Sequence, residues 1–457
     1  MENKMCNTQK KRSLVLFLIV SLVFGVLTTF ITLGGDDLVY IHRPDLSTIY
    51  SKWVYVYDAY FTWSSRVLIN FVWMVLIDMG KYAWGLYFAI SLFVFFYSAS
   101  VLFNPNDNPL VNEFIIVTVM TFPFILICSA GWIATTTCYF GPLAAGMFSL
   151  IPIFRIYREG KVRKKEFVLS AIMLIYASSD EQMMMVLLLC YLVAFIYFVV
   201  VKKPILSVLF QLFLCFANCA IVFLSPGNSV RKMAEIRDHF PDYLMMGLDD
   251  KLELGLSTTL KWLIMDGHIF FIEFTLIIAI LIVVKYKEPL YRVWGTVPVI
   301  FTVLYSVMDN SALKLFGSMK SLKEAVPFHG DINATNGGKG LAVLQLTVML
   351  IIVTILYFDI ILICDTIEEL LICSVLLIGG TGSRVIMGFS PTIYVSGFRT
   401  CSIMIVCFIF VTVFLGSKLL PMVKEDAVVE RSLKWLFPVT TILLMLNYAS
   451  LVFGYFV

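Results

Sequence analysis

Long apolar runs separated by polar stretches recur along this chain, near 13–33, 84–103, 111–130, 135–155, 167–178, 183–201, 204–224, 268–284, 290–308, 341–363, 367–380, 399–416 and 435–456. Most approach the roughly 20 residues that an α-helix needs to cross about 30 Å of hydrocarbon. In lipid the backbone must satisfy its own polar groups, which leaves helices or closed barrels. Continuous runs of this length are unlike the alternating segments of a barrel. The pattern predicts an all-α, polytopic transmembrane helical bundle of about 11–14 spans, read as one integral membrane domain over residues 1–457. One apolar stretch, 67–79, is too short to span comfortably.

Charge placement gives the expected orientation. Lys4, Lys10, Lys11 and Arg12 precede the first run, which puts the N-terminus in the cytoplasm by the positive-inside rule. A signal peptide would begin the same way, but the run is longer than an h-region and no small-x-small site follows, so an uncleaved first helix is expected. If 67–79 is interfacial or re-entrant, the basic clusters 155–165, 202–203, 285–292 and 418–434 all fall on the N-terminal side. The unusual polar sequences then collect on the outer face: the first outer loop 34–82, 131–139, 178–182, the outer loop 225–267, the outer loop 309–340, and 379–399. The expected location is the cytoplasmic (inner or plasma) membrane, multi-pass, with the active face outside.

Composition agrees with the pattern. Hydrophobic residues make up 60% and charged ones 14%, where soluble domains carry about 25% charged residues; mean hydropathy is +0.91. The net charge of +3 says little about partners beyond membrane lipid, and no nucleic acid is expected. The ten cysteines lie mostly inside apolar runs and read as small packing residues. His42, His239, His268 and His329 form no pair at metal-ligand spacing.

Candidate chemistry concentrates in the polar stretches. Gly34-Gly35-Asp36-Asp37 follows the first run: the acids could be a solvated helix-end turn, or a site at the membrane surface, where a carboxylate is seldom left without a purpose. Aromatics follow densely, from Tyr40 to Trp63, as an interfacial belt or a platform on which sugars stack. Arg66 could anchor at the headgroups or bind a phosphate with its guanidinium. Glu181-Gln182 opens an apolar run after a polar turn. Ser225-Pro226-Gly227-Asn228 ends a helix just before Arg231, and the glycine-rich 379–384 ends in Arg384, with Arg399 at the next run's start. The glycines lack the strand–GxxxxGK–helix context of a phosphate loop. Should the acid pair hold a metal, it would be Mg²⁺ or Mn²⁺ at most.

In these motifs the chain resembles the GT-C class of polytopic glycosyltransferases, most closely the bacterial branch that builds or modifies surface polysaccharide, including O-antigen glucosyltransferases. The carriers are Asp36-Asp37, Trp63-x-x-Arg66 (with Ser65 where glycine is usual), Trp132 through Tyr139, Glu181-Gln182, Ser225-Pro226-Gly227-Asn228-x-x-Arg231, and Ser383-Arg384 with Pro391 and Arg399. The resemblance implies a hexosyltransferase that moves a sugar from a polyprenyl-phosphate donor to a lipid-linked or cell-surface glycan acceptor. It implies Asp36 or Asp37 as general base and Arg66, Arg231, Arg384 and Arg399 around the donor phosphate. Trp63, Trp132, Tyr139, Glu181 and Gln182 would then contact sugar or acceptor. Two alternatives stay open: a polymerase or ligase using a lipid-pyrophosphate oligosaccharide, and a flippase or transporter of lipid-linked oligosaccharide. The absence of an internal repeat and the scarcity of charge within the runs argue against the last.

Overall fold

The computed structural model describes residues 2–41, 43–307, 317–326, 339–423 and 427–454. His42, His329 and most of the expected loop 309–340 lie outside the described residues. The chain is all-helical, with no strand among the described residues. Nine described helices are long and apolar enough to cross a membrane, or ten if one bent pair counts as a single span. This marks a multi-pass integral membrane protein with fewer spans than the apolar runs suggest. Two runs account for part of the shortfall: 111–130 breaks after a 12-residue helix, and 167–178 lies in a helix of 14 residues.

The chain falls into two compact units, Met1–Met233 with Leu420–Val457, and Ala234–Leu419. In unit 1, α1 (Glu2–Thr28) leads to α2 (Asp36–Ile41), α3 (Ile49–Thr62), α4 (Val67–Met79) and α5 (Lys81–Phe103). Then come α6 (Pro109–Met120), α7 (Trp132–Thr135), α8 (Gly141–Ser149), α9 (Ile151–Glu159), α10 (Lys164–Ala177), α11 (Glu181–Val200) and α12 (Leu206–Phe223), and α13 (Pro226–His239) starts there. Every residue of α8 is buried, as a helix apolar all round should be. α1 and α5 approach closely through Gly25 and Gly85: a Cβ on Gly25 would lie 2.5 Å from the Gly85 carbonyl oxygen and 2.7 Å from the Ala89 Cβ. The outer side of α1 exposes Val15, Leu18, Ile19, Leu22 and Val26, a face suited to lipid.

Hydrogen bonds assign the two ends of unit 1. At one end, Lys10 pairs with Asp107 at 3.2 Å, Arg158 donates to the Val101 and Leu102 carbonyls, and Lys203 donates to the Tyr157 carbonyl at 3.1 Å. At the other, the Asp36 N–H donates to Ala130, Ser65 to Glu181, and Tyr60 to the Ile221 carbonyl. α4 belongs wholly to this second end. It starts beside Ser65, and α5 begins there too, since Trp84 donates to Thr136 at 3.2 Å while its last turn meets Arg158. The stretch expected as an outer loop therefore holds three helices, of which α4 does not cross.

In unit 2, α14 (Leu248–Met265) and α15 (Ile269–Lys285) form the bent pair, turning by 74°. They are followed by α16 (Pro289–Val307), α17 (Gly317–Lys323), α18 (Lys339–Ile363), α19 (Ile367–Val385), α20 (Ile393–Ser396) and the buried first half of α21 (Ser402–Val423). Residues 225–267, read from sequence as a loop, are mostly the helices α13 and α14. The last helix, α22 (Ala427–Gly454), returns to unit 1, where Tyr448 stacks on Phe24 at 4.5 Å and its hydroxyl bonds Thr28 at 2.8 Å.

Candidate functional site

The two adjacent aspartates at the start of α2 take opposite roles. Asp37 is fully buried and Asp36 is exposed. Asp37 accepts from the Ile133 N–H at 2.9 Å, the Ala134 N–H at 3.0 Å and the Trp73 Nε1–H at 3.1 Å. A helix starts with backbone N–H groups that have no partner in the helix, and Asp37 satisfies two of those of α7. Burial raises its carboxyl above the usual range, with the three donors pulling back and Asp36 adding to the rise. Two glycines permit this close junction. Gly35 sits at φ +59°, where a Cβ would collide with the Ala130 carbonyl, and Gly131 at φ +152° leaves room for the Asp37 carboxylate. The junction holds Asp36 at the surface through its N–H bond to Ala130, 2.6 Å long.

A second cluster gathers around Glu181, the first residue of α11. Arg66, at the N-cap of α4, donates from Nε to Glu181 at 2.6 Å and pairs through Nη2 at 2.5 Å. Its Nη2 also lies 3.4 Å from Asp180. Arg231, on α13, reaches the other Glu181 oxygen at 3.5 Å, and the Ser65 hydroxyl donates to that same oxygen at 3.2 Å. Asn228 accepts from the Ser65 N–H at 3.4 Å and donates to the Val222 carbonyl at 2.8 Å, tying α13 to the start of α4. The Arg66 guanidinium lies 5.9 Å over the Tyr139 ring. Burial alone would lower the pKa of Arg66, but Glu181 and Asp180 raise it well above the usual value. Asp180 caps α11 by accepting from the Met183 N–H at 2.9 Å; burial, with the Glu181 charge nearby, pushes its carboxyl up to about 6 against the pull of Arg66.

α4 joins the two clusters. Trp73, which meets Asp37, lies two turns after Arg66, about 10 Å along the helix. On the other wall, α7 continues into a π-helical turn, Thr136–Phe140, that carries Tyr139. Such turns displace the helix register and recur at functional sites. Thr135, Thr136 and Thr137 each donate their hydroxyl to a carbonyl four residues back, which favours distortion here.

Unit 1 thus brings together Asp36, Asp37, Arg66, Trp132, Tyr139, Glu181, Gln182 and Arg231 at one end. Trp63 is 49% exposed at the rim, whereas Trp132, Tyr139 and Gln182 are buried. Arg384 and Arg399 belong to unit 2. Sequence reasoning passed over Asp180, Ser65 and Asn228 as site residues; the cap pattern of Asp180 before Glu181 was the available signal. The acid pair does not fit Mg²⁺ or Mn²⁺, because N–H donors take both Asp37 oxygens. Among the described residues no group of three or more His, Cys, Asp or Glu could hold a metal ion. No family model matches this chain, and no curated protein and no solved structure matches it.

Proposed function

We propose that the chain is a GT-C-type glycosyltransferase, moving a sugar from a polyprenyl-phosphate donor to a lipid-linked or cell-surface glycan acceptor at the outer face of the cytoplasmic membrane. The observation that carries this reading is the division of labour between the two aspartates. Asp37 is committed to capping α7, which leaves Asp36 exposed beside a helix junction, at the same end of unit 1 as a pair of arginines bridged by Glu181. In this reading Asp36 takes the proton of the acceptor hydroxyl. The hydroxyl oxygen bonds to the anomeric carbon, the bond from that carbon to the phosphate oxygen breaks, and polyprenyl phosphate departs. Arg231 and Arg66 receive its growing negative charge; each guanidinium has five N–H donors and commits only some of them to carboxylates. Trp63 at the rim supplies a ring for a sugar face.

The test is sugar transfer in membranes supplied with radiolabelled polyprenyl-phosphate sugar, at matched expression. Asp36→Asn is expected to lose about 10²-fold or more in transfer rate while still binding donor. Normal transfer by Asp36→Asn would overturn the assignment.

A further inference from the structure

Unit 2 buries an arginine that its own residues do not satisfy. Arg384 stands in the last turn of α19 and is 2% exposed. Its Nε and Nη1 have no hydrogen-bond partner, and no carboxylate among the described residues forms an ion pair with it. The Cys401 thiol touches it, at the end of the 3₁₀ turn Gly397–Cys401. Phe398 of that turn stacks on Trp262 at 5.6 Å, and Trp262 in turn lies 3.9 Å from His268, at the break between α14 and α15. His268 leaves a second polar atom, Nε2, without a partner, while its ring bonds the Trp262 carbonyl. Asp266, exposed at the same break, is the acid whose charge reaches Cys401.

A guanidinium stays charged inside a protein, and burying that charge unpaired is costly, above all in a membrane-crossing helix. Charged groups in such places generally mark a ligand site. Two vacant N–H donors on one guanidinium suit a group with several acceptor oxygens. We propose that unit 2 carries an oxyanion site centred on Arg384, with Nε–H and Nη1–H as donors to a phosphate-type group. That group is either a free phosphate or the headgroup of a phosphorylated lipid. The site lies wholly within unit 2 and does not depend on the transfer reaction proposed above.

The experiment uses the purified full chain in nanodiscs, with inorganic phosphate and polyprenyl phosphate as separate probes. Equilibrium binding and the thermal unfolding midpoint are measured for wild type and Arg384→Met. At least one probe should bind wild type and raise its midpoint, and Arg384→Met should weaken that binding at least tenfold. Without ligand, Arg384→Met should unfold at the wild-type temperature or above, because it removes an unpaired buried charge. Binding of both probes, or of phosphate alone, identifies a free-anion site, and binding of the lipid alone a headgroup site. Binding of neither, or equal binding by the variant, overturns the proposal. If Arg384→Met does not fold, Arg384→Lys carries the same comparison, since one ammonium cannot replace both donors.

Discussion

A single proton on Asp180 changes the charge of the arginine cluster. With Asp180 and Glu181 both ionised, two carboxylates balance Arg66 and Arg231. When Asp180 takes up a proton, the cluster gains one positive charge. Its carboxyl is pushed up to about 6, against roughly 3.9 for an unperturbed aspartate. The folded protein therefore binds this proton more tightly than the unfolded chain does. The resulting stability is present below about pH 4 and is lost as pH rises through 6. Binding of an anionic donor should follow the same direction. A sugar phosphodiester keeps one charge across this range, so its affinity for wild type should rise as pH falls from 7 to 5. Asp180→Asn keeps an oxygen for the Met183 N–H but cannot titrate. Its donor affinity should be flat over that range and match wild type at the acid end. A wild-type profile without slope would show that the Asp180 proton does not reach the donor.

At the level of elements, the junction of α2 with α7 is where local rules and the site meet. Gly35→Ala would force a side chain into the left-handed region and against the Ala130 carbonyl, at a cost of ~1–3 kcal/mol. Asp37→Ala would remove an acceptor from three buried donors, at a cost of about 2–4 kcal/mol. Asp36→Ala, at an exposed position, should stay within about 0.5 kcal/mol of wild type. Urea unfolding of the solubilised chain measures all three, and equal losses for Asp36→Ala and Asp37→Ala would contradict the division of roles. Much of this junction was legible beforehand: glycines, then acids, then an aromatic-rich stretch marked a turn with chemistry. Which acid faces inward was not, because adjacency says nothing of direction until α7, nearly a hundred residues later, supplies the N–H groups. The helices in 226–265 were missed for a related reason. Their first turns carry charge, such as Asp249 and Asp250 on α14, and the buried face of that helix emerges only from Leu254 onward.

For the molecule as a whole, the sides of the membrane follow from the two ends of unit 1. Lys10, Arg155, Arg158 and Lys203 cluster at the end away from the candidate site, and short basic loops stay cytoplasmic. The short helix α4 decides how the rest of the chain is counted. Its 13 residues reach only ~20 Å, less than the roughly 30 Å of hydrocarbon. Had it crossed, the basic segment 155–165 would stand on the same side as Asp36. Membrane-impermeant thiol labelling separates the two arrangements. Ile49→Cys and Tyr82→Cys flank α4 at positions 71% and 75% exposed; both should label from outside in intact cells. Asn106→Cys and Lys161→Cys, exposed near the basic end, should label only after the membrane is opened. Labelling of Ile49→Cys and Tyr82→Cys from opposite sides would make α4 a crossing helix. Labelling of all four in the reverse sense would place Asp36 and the arginine cluster in the cytoplasm. There a sugar nucleotide, not a lipid-linked sugar, would be the donor within reach, and the proposed chemistry would have to change with it.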